Sequence, residues 1–265
     1  MNNQNNLIQR RGQAGERFLV TPDADANVSD HTELRAWFSA NFWREQQAIT
    51  GQSKGRNTVY FVRCGEQEWV LRHYYRGGLP GKLLRDLFFY TGVMKTRSFQ
   101  ELELLWRMYH LGLPVPKPIA AYQKKRGLTY QADILIERIP HSQDLFQCLQ
   151  EQTLPAEQWH RIGATIARFH QTGVYHSDLN CHNILLQRAE RCDKVWVIDF
   201  DRCEFRSPGR WQVQNLERLH RSLEKEQQKF AAQAKPFYFN SADWQHLIQG
   251  YVAGDGDENE YPSND

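Results

Sequence analysis

The segment His176-Ser177-Asp178-Leu179-Asn180-Cys181-His182-Asn183 carries a carboxylate and, five residues on, an amide. Sixteen residues beyond Asn183, the apolar run Val195-Trp196-Val197-Ile198 ends in Asp199. Moving a phosphoryl group onto a hydroxyl needs these types in this order. A carboxylate must orient the attacking hydroxyl and take its proton, and oxygen ligands must hold Mg²⁺ at a triphosphate. Asp178 fits the first role, as the catalytic residue. Asn183 and Asp199 fit the second, as metal ligands. Each has a plain structural alternative: Asp178 and Asn183 can cap turns, and Asp199 can simply end a strand. Order and spacing taken jointly favour the chemistry.

The first segment matches the kinase catalytic-loop pattern H-x-D-L-x-x-x-N, with Ser177 where many protein kinases have Arg. In Ile198-Asp199-Phe200-Asp201 the third residue of the D-F-G pattern is Asp201, which points away from a flipping activation segment. The stretch after Asp201 has Arg206, Pro208 and Gly209 but no Ala-Pro-Glu anchor for a docked peptide. Upstream, Thr50 to Asn57 reads as a polar loop whose Gly51 and Gly55 could cover phosphates with backbone N–H groups. A plain hairpin turn fits it nearly as well. In Val70-Leu71-Arg72, Arg72 stands where a phosphate-binding lysine is expected, and its guanidinium fork can serve that role. Glu101 is the partner acid on the next helix, with Glu103 as competitor. Ser98-Phe99-Gln100-Glu101 is also a capping box, which leaves Glu101 a second reading. Glu137 follows the apolar run Ile134-Leu135-Ile136, where backbone could face an adenine; a solvated loop Glu is the other reading.

These residues need elements to position them. An early helix is expected near Glu33 to Phe42. Thr58 to Val62 and Glu68 to Arg72 read as strands about a Cys64-Gly65-Glu66-Gln67 turn. Ser98 to Leu111 is helical, with Leu102, Leu105, Trp106 and Tyr109 on one face. Pro155 to Gln171 is a second helix, with a stripe of Trp159, Ile162, Ile166 and Phe169 and a stop at Gly173. Ile184 to Leu186 and Val195 to Ile198 are short strands, and the chain is helical again from Val213. The class is therefore α+β and bilobal: a loose segment over 1–15, a β-rich N-lobe over 16–138, a mainly helical C-lobe over 139–253, and a disordered acidic tail over 254–265.

Composition is that of an ordinary globular chain, 40% apolar and 24% charged, with net charge +2. Global charge thus points to neither nucleic acid nor membrane. Five cysteines without a C-x-x-C pair argue against a disulfide framework or structural zinc, and fit a reducing compartment. The first residues lack the apolar core of a signal peptide, and no run approaches the length of a membrane span. Locally, Arg72 to Arg97 alternates Arg76, Lys82, Arg85 and Lys95 with Tyr74, Leu83, Phe88 and Tyr90. A basic, aromatic surface there, with Lys82 and Arg85 at its centre, could hold an anionic, acyl-chained ligand at an anionic membrane surface. The alternative is lobe core with a solvated basic face.

The chain resembles the lipopolysaccharide kinase family. The stretches that carry the likeness are Trp69 to Tyr74 with Arg76-Gly77-Gly78-Leu79, Gly112-Leu113-Pro114-Val115-Pro116, Tyr175 to Asn180, Asn183 to Leu186, Ile198 to Asp201, and Asn215 to Leu223. In related atypical kinases a helix Glu lies eleven residues before the Gly of such a Gly-Leu-Pro-Val-Pro segment, and Glu101 stands at that distance from Gly112. The resemblance implies a protein-kinase-like fold, ATP as donor, Mg²⁺, and the 4-hydroxyl of 3-deoxy-D-manno-octulosonic acid (Kdo) on a lipid A precursor as acceptor. It also implies peripheral work at the cytoplasmic face of the inner membrane. Rival expectations are a heptose or protein kinase of the same fold, and a non-catalytic pseudokinase scaffold. The scaffold would have no need of Asp178, Asn183 and Asp199 together.

Overall fold

The structure, a computed structural model, describes residues 6–54, 58–75, 86–188 and 193–254. The chain divides into two compact units: Met1–Arg107 with Lys117–Arg138, and Met108–Pro116 with Ile139–Asp265.

In chain order the first unit holds β1 (Ile8–Arg11), β2 (Glu16–Val20), α1 (Pro22–Ala26), α2 (His31–Ala36), α3 (Ala40–Glu45), β3 (Ile49–Lys54), β4 (Thr58–Cys64), β5 (Gln67–His73) and β6 (Phe88–Phe89). Most of α4 (Arg97–His110), then β7 (Pro118–Arg126) and β8 (Thr129–Glu137), complete it. One antiparallel sheet runs β1-β2-β7-β8-β5-β4-β3, with β6 also paired to β8. The expected loose start is instead partly strand. Ile8-Gln9-Arg10-Arg11 has no alternating apolar pattern, but its backbone pairs with β2 and Arg10 forks onto Asp25 at 2.7 Å. The single early helix is two: Asp30 caps α2, and Ser39 starts α3 by accepting the Phe42 N–H. Trp37, Trp43 and Leu34 from this region bury against Trp69, Leu71 and Val62. Thr50 to Lys54 is strand, not loop. Gly51 sits at a bulge in β3 opposite Phe61, whose ring would lie a tight 3.0 Å from a Cβ at 51.

The second unit contains β9 (Ser142–Asp144), α5 (Leu145–Glu151), α6 (Ala156–Gln171), β10 (Val174–Tyr175), β11 (Ile184–Gln187), β12 (Lys194–Val197), β13 (Glu204–Phe205), α7 (Trp211–Ala231) and α8 (Ser241–Ala253). Pro155 is the N-cap of α6, one position before the expected first turn. Residues 108–116, assigned by sequence to the first lobe, cluster here because Leu113 and Val115 are buried and the Val197 N–H donates to the Pro114 carbonyl. Trp159, Ile162, Ile166 and Phe169 form the buried stripe of α6. Helices α6 and α8 touch backbone to backbone. A Cβ on Gly163 would fall 1.9 Å from the Leu247 carbonyl oxygen, and one on Gly250 2.0 Å from that of His160. Among the described residues, no helix is long and apolar enough to cross a membrane.

His170, near the end of α6, is buried edge-on to Trp211 and bonded through Nδ1 to the Tyr251 hydroxyl. Burial pulls its pKa down from 6.5 to about 4. The folded chain refuses a proton that the unfolded chain accepts, so this stability is full above pH 6.5 and drains away as pH falls towards 4. Urea unfolding across that interval is expected to show a loss of about 3 kcal/mol from this group. His170→Gln should flatten the slope there; an unchanged slope would refute the assignment.

Candidate active site

The two-residue period of β5 positions Arg72. Trp69 and Leu71 join the tryptophan cluster, so Arg72 and Tyr74 point to the other face of the sheet, towards α4. There the Arg72 Nη2 donates to Glu101 Oε1 at 2.5 Å and the Tyr74 hydroxyl to Glu101 Oε2 at 2.5 Å. Burial, then the negative charge of Glu101, pushes the Tyr74 phenol well up, so it stays a donor. The capping-box reading of Glu101 does not hold. The helix starts at Arg97, two residues earlier than a Ser98 cap requires, and the Ser98 hydroxyl instead donates to the Tyr122 carbonyl. Glu103 is not part of this cluster; burial raises its carboxyl, with the charge of Arg107 opposing that. Glu101→Ala would remove a buried carboxylate that bonds both Arg72 and Tyr74, so unfolding free energy should drop by about 3 kcal/mol. A double-mutant cycle with Arg72→Met should recover part of that loss; additive losses would mean the two side chains act separately.

Glu137 ends β8 half-buried, and burial raises its pKa. Its N–H donates to the Lys117 carbonyl and the Arg138 N–H to the Glu68 carbonyl, so both donors are committed within the first unit. Gly51 is a strand residue, as above. Gly55, Lys82, Arg85 and the Arg76-Gly77-Gly78-Leu79 stretch lie outside the described residues.

In the second unit the loop from His176 to Asn183 is held by its own polar groups. The carbonyl of Asp178 accepts from Nδ2 of both Asn180, at 2.9 Å, and Asn183, at 3.0 Å. The Asp178 N–H donates to Nδ1 of His176, so the ring proton sits on Nε2 and goes to the Ile198 carbonyl. Burial lowers the His176 pKa, which favours this neutral form. The Ile198 N–H donates back to the Asn183 carbonyl, extending the β11–β12 ladder by one pair. Asp199 therefore leaves the ladder beside Asn183, and Asn183 is tied to Asp178. The three predicted residues share one junction of loop and strand end. Asp199 has φ +65°, a left-handed turn that Asp tolerates better than most residues.

The two departures from the protein-kinase pattern bond to each other. Ser177 Oγ donates to the Asp201 carbonyl at 2.7 Å, and the Ser177 N–H to Cys203 Sγ at 3.2 Å. The chain then returns as β13 to pair with β10, immediately before the loop.

Sequence reasoning missed what α7 does here. Four of its residues meet the loop in order. Asn215 takes the His176 N–H and gives to its carbonyl; Arg218 Nη1 contacts Asp178 Oδ1 at 3.2 Å; Ser222 Oγ accepts the Cys181 N–H; Glu226 lies 3.9 Å from His182. The steps of three, four and four residues put all four on one helical ridge. That spacing was the available signal.

The oxygen donors suit a hard cation. Asn183 spends its Nδ2 on the loop, which leaves its amide oxygen, and Asp199 adds a carboxylate. Mg²⁺ is commonly held by one or two such groups plus phosphates, without an all-protein cage. Accordingly, no cluster of three or more His, Cys, Asp or Glu suited to a metal occurs among the described residues.

Residues 40–251 match the lipopolysaccharide kinase (Kdo/WaaP) family. A Haemophilus influenzae (strain PittEE) protein named 3-deoxy-D-manno-octulosonic acid kinase is 49% identical over 251 residues, 92% of this chain and 99% of its own. One of the same name from Mannheimia succiniciproducens is 43% identical over 238 residues, covering 88% and 95%. Among solved structures, WaaP in complex with acyl carrier protein aligns with a TM-score of 0.53 at 16% identity, over 85% of this chain and 88% of that one. At such identity the likeness concerns the fold alone. On the strength of the family match and these relatives, the chain belongs to the lipopolysaccharide kinase (Kdo/WaaP) family.

Proposed function

We propose that this chain transfers the γ-phosphoryl group of ATP to the 4-hydroxyl of Kdo on a lipid A precursor. The meeting of Asp178, Asn183 and Asp199 at one junction, in a chain that shares about half its residues with kinases named for Kdo, carries this reading. The Asp178 carboxylate projects from the loop with its side chain 61% exposed, open to an acceptor. It orients the hydroxyl and takes its proton as that oxygen bonds to the γ-phosphorus. The bond to the β–γ bridging oxygen breaks and ADP leaves. Arg72, fixed by Glu101, binds phosphate oxygens. Asn183 and Asp199 would hold Mg²⁺, which when bound offsets charge on the triphosphate. Gly51, Gly55 and the end of β8 at Glu137 are assigned to the nucleotide; with the N–H groups of Glu137 and Arg138 committed, carbonyl oxygens are what Glu137 has to offer.

The chain works as a peripheral protein at the cytoplasmic face of the inner membrane. Support comes from the basic, aromatic sequence between Arg72 and Arg97, with Lys82 and Arg85 as contacts to an anionic surface or to the acceptor. Mass spectrometry of Kdo-lipid A after incubation with ATP and Mg²⁺ tests the activity. One added phosphate on Kdo, located at O4 by fragmentation, is expected. Phosphate only on a heptose-bearing acceptor or on protein would overturn the assignment, and absence of any ATP consumption would favour a scaffold.

A further inference from the structure

The α7 ridge meets the loop at four residues. Asn215 is buried and clasps His176 through two hydrogen bonds, and Ser222 holds the Cys181 backbone. Glu226 is buried beside His182 and pairs with Lys229. Arg218 differs from all three. Its side chain is 47% exposed, and its contact is one nitrogen on one Asp178 oxygen at 3.2 Å. A guanidinium has five donors in a planar fork that matches a carboxylate. The neighbouring Arg221 is turned along the helix to Glu217 at 3.7 Å. Arg218 thus brings a cation with spare donors beside the carboxylate proposed to receive the acceptor hydroxyl. A single exposed ion pair of this kind adds little to stability, so holding the loop does not account for it.

Kdo is a sugar acid, and its carboxylate lies on the same ring as the hydroxyl to be phosphorylated. With the hydroxyl on Asp178 and the carboxylate on the Arg218 fork, the two acceptor groups would stand roughly 5 Å apart, about the span of one edge of a pyranose. We infer that Arg218 binds the acceptor's carboxylate, so that the Arg218–Asp178 pair selects a sugar acid over a neutral sugar. This rests on the function proposed above. The hydroxyl end of the acceptor is read by Asp178 and the acid end three α7 residues past Asn215.

Wild type, Arg218→Gln and Arg218→Lys should be assayed on Kdo-lipid A and on the same lipid with the Kdo carboxylate as its methyl ester. A charge-assisted contact of this type is worth about ten- to a hundredfold. Wild type is expected to prefer the acid by that factor in kcat/KM. Arg218→Gln should lose it on the acid, chiefly through the acceptor KM, and treat acid and ester alike. Its KM for ATP and its unfolding midpoint should be unchanged. Arg218→Lys keeps the charge without the fork, and should retain part of the preference. Two results overturn the inference: Arg218→Gln preferring acid over ester as wild type does, or kcat falling equally on both acceptors with acceptor KM unmoved. The latter would mean that Arg218 only positions Asp178. Should Arg218→Gln fail to fold, the acid-to-ester ratio of Arg218→Lys against wild type decides alone. Failure of wild type to phosphorylate the acid at all would instead sink the proposed function.

Discussion

Asp178→Asn is expected to lower turnover at saturating ATP and acceptor by at least about a hundredfold, some 3 kcal/mol of barrier. The substitution keeps the side chain's size and removes its capacity to take a proton. The loop should survive it. Asn180 and Asn183 bond to the backbone carbonyl of Asp178, His176 accepts from its N–H, and the carboxylate itself is mostly exposed. Nucleotide affinity by calorimetry and the unfolding midpoint should therefore stay near wild type while kcat falls. Near-normal kcat would remove Asp178 from the chemistry. A parallel drop in nucleotide affinity would reassign it to binding.

Asp199→Asn is expected to cost more, about a thousandfold in turnover or roughly 4 kcal/mol, because it withdraws from the cation the carboxylate assigned to hold it. Asn is the right replacement at φ +65°, since it tolerates the left-handed region as Asp does, and the turn out of β12 is preserved. The diagnostic readout is not activity. In wild type, Mg²⁺ should tighten ATP binding; in Asp199→Asn the affinities with and without Mg²⁺ should converge. If Mg²⁺ still tightens binding by the wild-type factor, the metal ligands lie elsewhere.

Much of this site was legible because its chemistry is local. Asp178 and Asn183 sit in one loop, and a strand ending in Asp199 can be recognised from its apolar run. Arg72 followed from its place in Val70-Leu71-Arg72, where a phosphate-binding lysine is expected. Its meeting with Glu101 came from analogy, and the rival capping box was excluded only by the helix start at Arg97. What stayed hidden depends on contacts between residues far apart in sequence. The spacing of Asn215, Arg218, Ser222 and Glu226 marks a polar ridge, but nothing in it names Asp178, forty positions before Arg218, as a partner. The first strand was missed for another reason: Ile8 to Arg11 is held by ladder bonds and by Asp25, neither of which leaves a periodic trace. The polar stretch around Gly51 misled because a bulged edge strand can share the composition of a loop.

The bond from Ser177 to Asp201 bears on how such an enzyme could be governed. Many signalling enzymes of related architecture are throttled by a segment that swings aside until a phosphate fastens it. Here the corresponding stretch is stitched shut from Asp201 through Phe205, by a hydroxyl, a thiol and a pair of short strands. Opening it would mean tearing the strand pairing next to the reacting carboxylate. Held by those bonds, the stretch needs no added phosphate to fix its course.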